Sequence, residues 1–342
     1  MKNSLIFISL FTISLSLISC EENFSPKTGF RDEYVLNSII SGSAGGTKSS
    51  IYISVSKLYN VDGLNPYLNK TDPVVLGAAV TIRQNNRTYE CLQDTLQRSD
   101  TSRYNTPYIY YASPPLEVNY YDQFWITANL PNGEKLSGYT RIPRPFIPAY
   151  SFDFTGGITT RINRFLWGNS WEISWDIFAN DLFFPKLVIV YQKKLESTIY
   201  ISDSTGQVID SINYTTKEKE IPMKYINQDG SLKPVYPTYT TGNSIIYDFD
   251  AIDSAMVQIS AGDPNKKNYR IISIIFQMTE FDHELSNYYS STHGYLDNYS
   301  LRLDETIYSN VNGGIGIIGS KVFTSISFTV RRSYISLFGY RY

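Results

Sequence analysis

Apolar and polar residues alternate with a period of two along several stretches of the chain. In "SSIYISVSKLY", Ile51, Ile53 and Val55 share one face, and in "VTIRQNNRTYECL" the pair Asn85-Asn86 separates Val80 and Ile82 from Tyr89 and Cys91. A third stretch, "QFWITANLPNGEKLSGYT", carries Asn132-Gly133 between two alternating arms. Residues i and i+2 line one face of a strand, and Asn or Asn-Gly pairs tolerate the left-handed backbone of a tight hairpin, so these stretches predict antiparallel strands with one buried face. Farther along, Trp171, Ile173 and Trp175 alternate ahead of a continuous apolar run, Leu187 to Tyr191, which predicts a half-buried strand followed by a fully buried one. One stretch changes period. In "MTEFDHELSNYYSS", Phe281, Leu285 and Tyr288 recur at spacings of four and three, which predicts a short helix near 279–290 with Thr279 as its cap and Asp282 three residues on. The final "YISLFGYRY" places Tyr334, Phe338, Tyr340 and Tyr342 on one face of a terminal strand. The apolar runs are too short and too often two-sided for a membrane barrel, so this strand is read as part of a globular body.

Composition adds weight to strands. The chain carries 29 Tyr and 18 Phe, and aromatic and β-branched side chains favour the half-buried pleated surface of a sheet. Pro143, Pro145 and Pro148 then interrupt the pattern and mark a boundary. The expected fold is mainly β: an N-terminal sandwich over 33–142, a Pro-rich linker over 143–149, and a larger β-rich C-terminal domain over 150–342 with one short helix. The first domain resembles immunoglobulin-like and carboxypeptidase-regulatory-like sandwiches. The second, with a tryptophan ahead of a strand that ends in tyrosine, resembles fibronectin-type sandwiches.

The beginning of the chain is a different kind of segment. Lys2 is the only charge before an apolar run from Leu5 to Ile18, too brief to span a bilayer permanently. Residues 1–19 are therefore read as a signal peptide. Leu17-Ile18-Ser19-Cys20 resembles the lipobox of bacterial lipoproteins, which implies cleavage before Cys20 and acylation of its thiol and amine; several acyl chains suffice for stable anchoring in outer-membrane lipid. Glu21 and Glu22 resemble an acidic surface-export signal, and the polar stretch 20–32, with Pro26 and Gly29, reads as a flexible tether. Removing residues 1–19 takes away Lys2 and leaves 29 basic against 32 acidic side chains, a net of −3. That balance argues against a nucleic-acid partner, which needs a basic stripe. With Cys20 acylated, Cys91 is the one remaining thiol, so no disulfide framework is available.

Candidate chemistry reduces to near misses. "GSAGGTKS" has Thr47 where a phosphate-binding loop needs glycine, and a strand pattern follows it where a helix is required. The chain has two histidines; in "DHE", Asp282 to Glu284, successive side chains diverge by about 100° on a helix and cannot share one zinc ion. "DFDAID", with Asp248, Asp250 and Asp253, offers carboxylates but lacks the glycine and distal glutamate of a calcium loop. No nucleophile elbow is present. The sequence therefore singles out no catalytic, cofactor-binding or metal site.

Tyrosine clusters are the stronger signal: "YIYY" at 108–111, "NYYDQFW" at 119–125, "YPTYTT" at 236–241 and "NYYSSTHGYLDNY" at 287–299. A flat apolar ring with a polar tip suits strand cores, protein contacts and sugar stacking alike. The segment around Tyr288, Tyr289 and Tyr295 is selected as a candidate partner contact, because Gly294, Asp297 and Asn298 mark its second half as loop. Taken in order, "DPVVLGAAVTI", "YDQFWITANLPNGEKLSGYTRIP", "EFDHELSNYY" and "IYSNVNGGIGIIGS" resemble a functionally uncharacterised family of Gram-negative surface lipoproteins associated with starch-utilisation-type TonB-dependent receptors. The resemblance implies a lipid-anchored outer-membrane protein, facing the cell exterior, that acts as a binding or accessory component of such a receptor. Alternatives are an extracytoplasmic hydrolase using a carboxylate pair, and a structural adhesin or envelope scaffold.

Overall fold

Strand outweighs helix by 53% to 13%, so the protein is mainly β. A computed structural model describes residues 33–42, 48–59, 65–144, 170–176, 182–195, 199–202, 208–211, 213–293 and 308–342. The first strands are β1 (Tyr34–Gly42), β2 (Lys48–Ser49), β3 (Tyr52–Lys57), β4 (Ala79–Gln84), β5 (Arg87–Leu96), β6 (Tyr108–Ala112), β7 (Leu116–Glu117), β8 (Gln123–Asn129) and β9 (Lys135–Arg141). After them come β10 (Ser170–Ser174), β11 (Phe183–Lys194), β12 (Ile199–Ser202), β13 (Val208–Ser211), β14 (Tyr214–Glu220), β15 (Lys224–Gln228), β16 (Ser231–Val235) and β17 (Ser244–Asp248). The last are β18 (Tyr269–Phe281), β19 (Val311–Asn312) and β20 (Ile318–Phe328). Three α-helices lie among the described residues: α1 (Phe249–Gln258), α2 (His283–His293) and α3 (Arg332–Leu337).

The predicted hairpins form. Asn85 adopts φ of +50° between β4 and β5, and Gly133 adopts +88° between β8 and β9. Twelve strands hydrogen-bond in the order β14-β11-β18-β20-β1-β3-β6-β5-β4-β8-β9-β19. Strands in this ladder change partners along their length, β1 and β5 among them. Tyr34 to Asn37 of β1 pair antiparallel with β3, whereas Ser38 to Gly42 pair parallel with β20. Arg87 to Cys91 of β5 pair with β4, and Leu92 to Leu96 with β6. The sheet thereby folds over itself, and the inward residues of β1 and β3 meet those of β4, β8 and β9 in one core that includes Leu36, Ile53, Ile82, Phe124 and Ile126. Each such side chain contributes about 1.5–3 kcal/mol on full burial.

The same core takes Val311, Ile318 and Val322 from the far end of the chain. Strands far apart in sequence are thus built into one another, β1 with β20 across 280 residues and β19 with β9 across a shorter but still long separation. Most of the expected linker over 143–149 lies outside the described residues. A second core gathers Ile173 and Trp175, as the alternation predicts, with Leu187, Ile189, Phe276 and α1. In β18 both Ile271 and Ile274 face this core although their spacing is odd. The register against β11 shifts there, and Ile272 is the extra residue, a bulge that flips the alternation once.

Two expectations need correction. Thr279 does not cap a helix, because it is paired in β18 with Phe184; α2 starts two residues after Phe281, with Asp282 as its cap, and Leu285 N–H donates to Asp282 Oδ1 at 2.9 Å. The terminal aromatics do not share a strand face. Tyr334 lies in α3, and the chain reverses at Gly339 with φ of +79°, so Tyr334, Phe338 and Tyr340 reach the second core by a helical turn. "DFDAID" opens α1, where Phe249, Ile252 and Met256 face the core at helical spacing and Asp253 accepts a hydrogen bond from the Tyr334 hydroxyl at 2.7 Å.

Candidate functional site

Two outward faces of the N-terminal sandwich carry aromatic side chains, and their chemistry differs. The first lies on β4, β8 and β9. Val80, Ile82, Phe124, Ile126, Ala128 and Leu136 are buried, so alternation turns Thr81, Arg83, Trp125, Thr127, Ser137 and Tyr139 outward. Cross-strand register sorts these six into two parallel rows. Arg83, Trp125 and Tyr139 are direct neighbours in one, and Thr81, Thr127 and Ser137 in the next. Within the first row the Arg83 guanidinium lies 4.1 Å from the centre of the Trp125 ring, and the Trp125 and Tyr139 centroids are 5.0 Å apart at 47°. A cation over an indole gains about 0.5–1 kcal/mol at an exposed site. The second row consists entirely of hydroxyls.

Glu284, Asn310 and Asn312 stand beside β9 and complete a groove of about 590 Å³ over these rows. Asn310 and Glu284 in that wall are tied down. The Asn310 amide donates to the carbonyls of Tyr139 at 3.0 Å and Ile318 at 2.8 Å, and its Oδ1 accepts from Ile318 N–H at 2.9 Å. Glu284 accepts a hydrogen bond from the Tyr308 hydroxyl. The start of α2 is held by Asp282, whose carboxylate caps the helix and accepts from the Thr140 hydroxyl of β9, while its N–H donates to the Ser320 carbonyl of β20 at 2.9 Å. Burial pushes the Asp282 carboxyl up to about 6; the hydrogen bonds from Thr140 and Leu285 oppose that rise, and the nearby Glu284 charge adds to it.

The second face lies on β3, β6 and the later half of β5. Register brings Tyr110 beside Asp94 and Tyr108 beside Leu96. Tyr52 is 60% exposed, Leu92 73% and Leu96 60%, so this patch is apolar and open. Its rings interlock, Tyr52 edge-on to Tyr110 at 5.2 Å and Tyr108 stacked with Tyr110 at 6.1 Å. The Tyr110 hydroxyl donates to Asp94 at 3.2 Å. Arg98 borders the patch, paired with Asp72 at 2.5 Å and lying over the Tyr104 and Tyr108 rings.

Of the residues selected from sequence, Tyr288 and Tyr289 lie on α2 and pack half-buried in a third cluster with Leu182, Phe281 and Leu285. Tyr289 stacks on Tyr239 at 5.2 Å and meets Phe281 at 5.2 Å. Tyr295 and Cys20 lie outside the described residues. His283 is bridged to Asn287 at 3.0 Å on the exposed side of α2. Among the described residues no group of three His, Cys, Asp or Glu is placed to hold a metal ion, and no helix is long and apolar enough to cross a membrane. The groove residues were open to sequence reading: once Val80, Ile82 and Phe124 are inward, Trp125 falls on the outward parity, where an indole is unusual. No family model, curated protein or solved structure matches the chain.

Cys91 takes no part in either face. It is buried beside Val80, and burial pushes its thiol up to about 12 from 9.0. Only the thiolate reacts, so at pH 8 a disulfide-exchange reagent is expected to label the folded protein about a thousandfold more slowly than the denatured chain. A stopped-flow thiol titration with and without denaturant checks this, and equal rates would contradict it.

Proposed function

We propose that the chain is a lipid-anchored protein of the outer-membrane surface that serves a TonB-dependent nutrient-uptake receptor as a binding or accessory component. The observation that carries the reading is the open face formed by Tyr52, Leu92, Leu96, Tyr108 and Tyr110. Contiguous exposed apolar patches on strands mark contact surfaces, and tyrosine provides large contact area at low entropic cost with a hydroxyl that tolerates a wet rim. The likeness of Leu17 to Cys20 to a lipobox supplies the anchor, and the family resemblance supplies the class of partner.

Replacing Cys20 by serine is expected to move the protein out of the outer-membrane fraction and remove the acyl mass. Fractionation with intact-mass measurement reads both, and acylated membrane-bound C20S would overturn the anchor. For the partner, the full chain is extracted in mild detergent and whatever accompanies it is identified. A TonB-dependent receptor is expected with the wild type. The triple change Tyr52→Ser, Leu92→Ser, Tyr110→Ser should keep the fold, since these side chains face outward, and weaken recovery about tenfold, equivalent to about 1.4 kcal/mol. A folded triple variant that retains the receptor removes this face from the reading.

A further inference from the structure

We infer that the groove over β4, β8 and β9 is a saccharide-binding site, separate from the tyrosine face. A sugar ring offers two kinds of surface, C–H faces that pack on aromatic rings and a periphery of hydroxyls that both donate and accept. The two rows answer these in turn. Trp125 and Tyr139 form the aromatic row, stiffened by Arg83 on the indole, and Thr81, Thr127 and Ser137 form the hydroxyl row one step along the same strands. Adjacent strands stand about 4.8 Å apart, so the hydroxyls form an evenly spaced line beside the rings.

The hydrogen-bonding capacity of this line is unused within the protein. Among the described residues the side chains of Thr81, Thr127, Ser137 and Asn312 make no hydrogen bond to another residue. A hydroxyl row on a solvated sheet has no reason to be walled, yet Glu284 and the locked Asn310 wall it. A second groove of about 530 Å³, at the β4–β5 turn, shows the contrast. There Asp122 accepts from Gln84 at 2.8 Å and Asn85 at 2.9 Å, so these three side chains are engaged with one another and hold a turn.

Charge and polarity narrow the class. Arg83, Lys135 and Glu284 line the same groove, a surplus of a single positive charge that is too small to select a phosphate or a strongly anionic ligand. Two rings amid hydroxyls and amides provide too little continuous apolar lining for a lipid or an apolar peptide. A polyhydroxylated ring compound meets both rows at once. The pyranose chemistry is shared by neutral glycans and by uronate-containing ones, and Arg83 and Lys135 are compatible with an isolated carboxylate.

Native affinity electrophoresis of the full chain in gels containing starch, xylan, mannan or polygalacturonate tests the inference. Retardation by at least one of them is expected, with the first three reporting neutral chains and the last a uronate. Trp125→Ala and the double change Thr127→Val, Ser137→Ala should each weaken retardation about tenfold or more. The double change keeps side-chain volume, so it decides the matter if W125A fails to fold. No retardation by any of the four, or retardation unchanged in the folded double variant, overturns the saccharide site. Receptor co-purification with the double variant separates the two readings: recovery at the wild-type level leaves the partner face standing whatever the gels show.

Discussion

Gly316→Ala is expected to be among the most damaging single substitutions in the protein. At φ of +130° the backbone is open to glycine alone, and a Cβ there would sit 2.1 Å from the Leu36 carbonyl oxygen and 2.9 Å from Asn37 Oδ1. Neither neighbour can give way. Leu36 N–H donates to the Ile315 carbonyl at 2.9 Å, and Asn37 Oδ1 accepts from Ile317 N–H at 2.9 Å, so both belong to the junction where β1 passes from β3 to β20. Backbone strain of about 1–3 kcal/mol adds to the clash, and a total loss of about 4 kcal/mol is expected. Equilibrium denaturant unfolding measures it. Gly133→Ala is the control: it shares a positive φ of +88° but has nothing within 4 Å of its would-be Cβ, so about 1 kcal/mol is expected there. Equal losses at the two glycines would show that packing around Gly316 is not what matters.

The second large effect is a pH dependence centred on Asp282. Its folded carboxyl titrates at about 6 against 3.8 for the free group. The raised value means that the folded state binds the proton more tightly than the unfolded chain. Stability from this group is therefore full below about pH 4 and is lost as pH rises through about 6, by about 3 kcal/mol in all. Asp282→Asn is expected to flatten unfolding free energy between pH 4 and pH 7, because the amide oxygen still caps α2 and carries no charge. Asp282→Ala removes the acceptor for Leu285 N–H and the Thr140 hydroxyl, and at pH 5 should cost about 2–4 kcal/mol. It should also loosen the groove wall, since Glu284 lies two residues beyond the cap. A wild-type and D282N pair with the same pH slope would remove this carboxyl as its source.

The outward groove and the Asp282 clasp were unequally legible. Parity along "VTIRQ", "QFWITAN" and "KLSGYTR" separates Val80, Phe124 and Leu136 from Thr81, Trp125 and Ser137 without any structure, because each strand has one buried face. Which strands lie side by side is not contained in parity, so the rows could not be assembled. The local pattern nominates Thr279 as a cap, but pairing with β11 keeps it extended and hands the role to Asp282. "YISLFGY" favours strand by composition, and burial of Tyr334 and Phe338 against α1 makes a helix there instead.

By itself the sequence determined the mainly β class, the hairpins at Asn85 and Gly133, and the inward and outward faces of most strands, since these depend on local backbone chemistry and a period of two. Only the tertiary structure decided that β1 is shared between β3 and β20, that β19 closes on β9, and that Glu284 and Asn312 stand over Thr127 and Trp125. Those pairings join residues hundreds of positions apart, and their choice rests on how whole faces bury against one another rather than on any property of the segments taken singly.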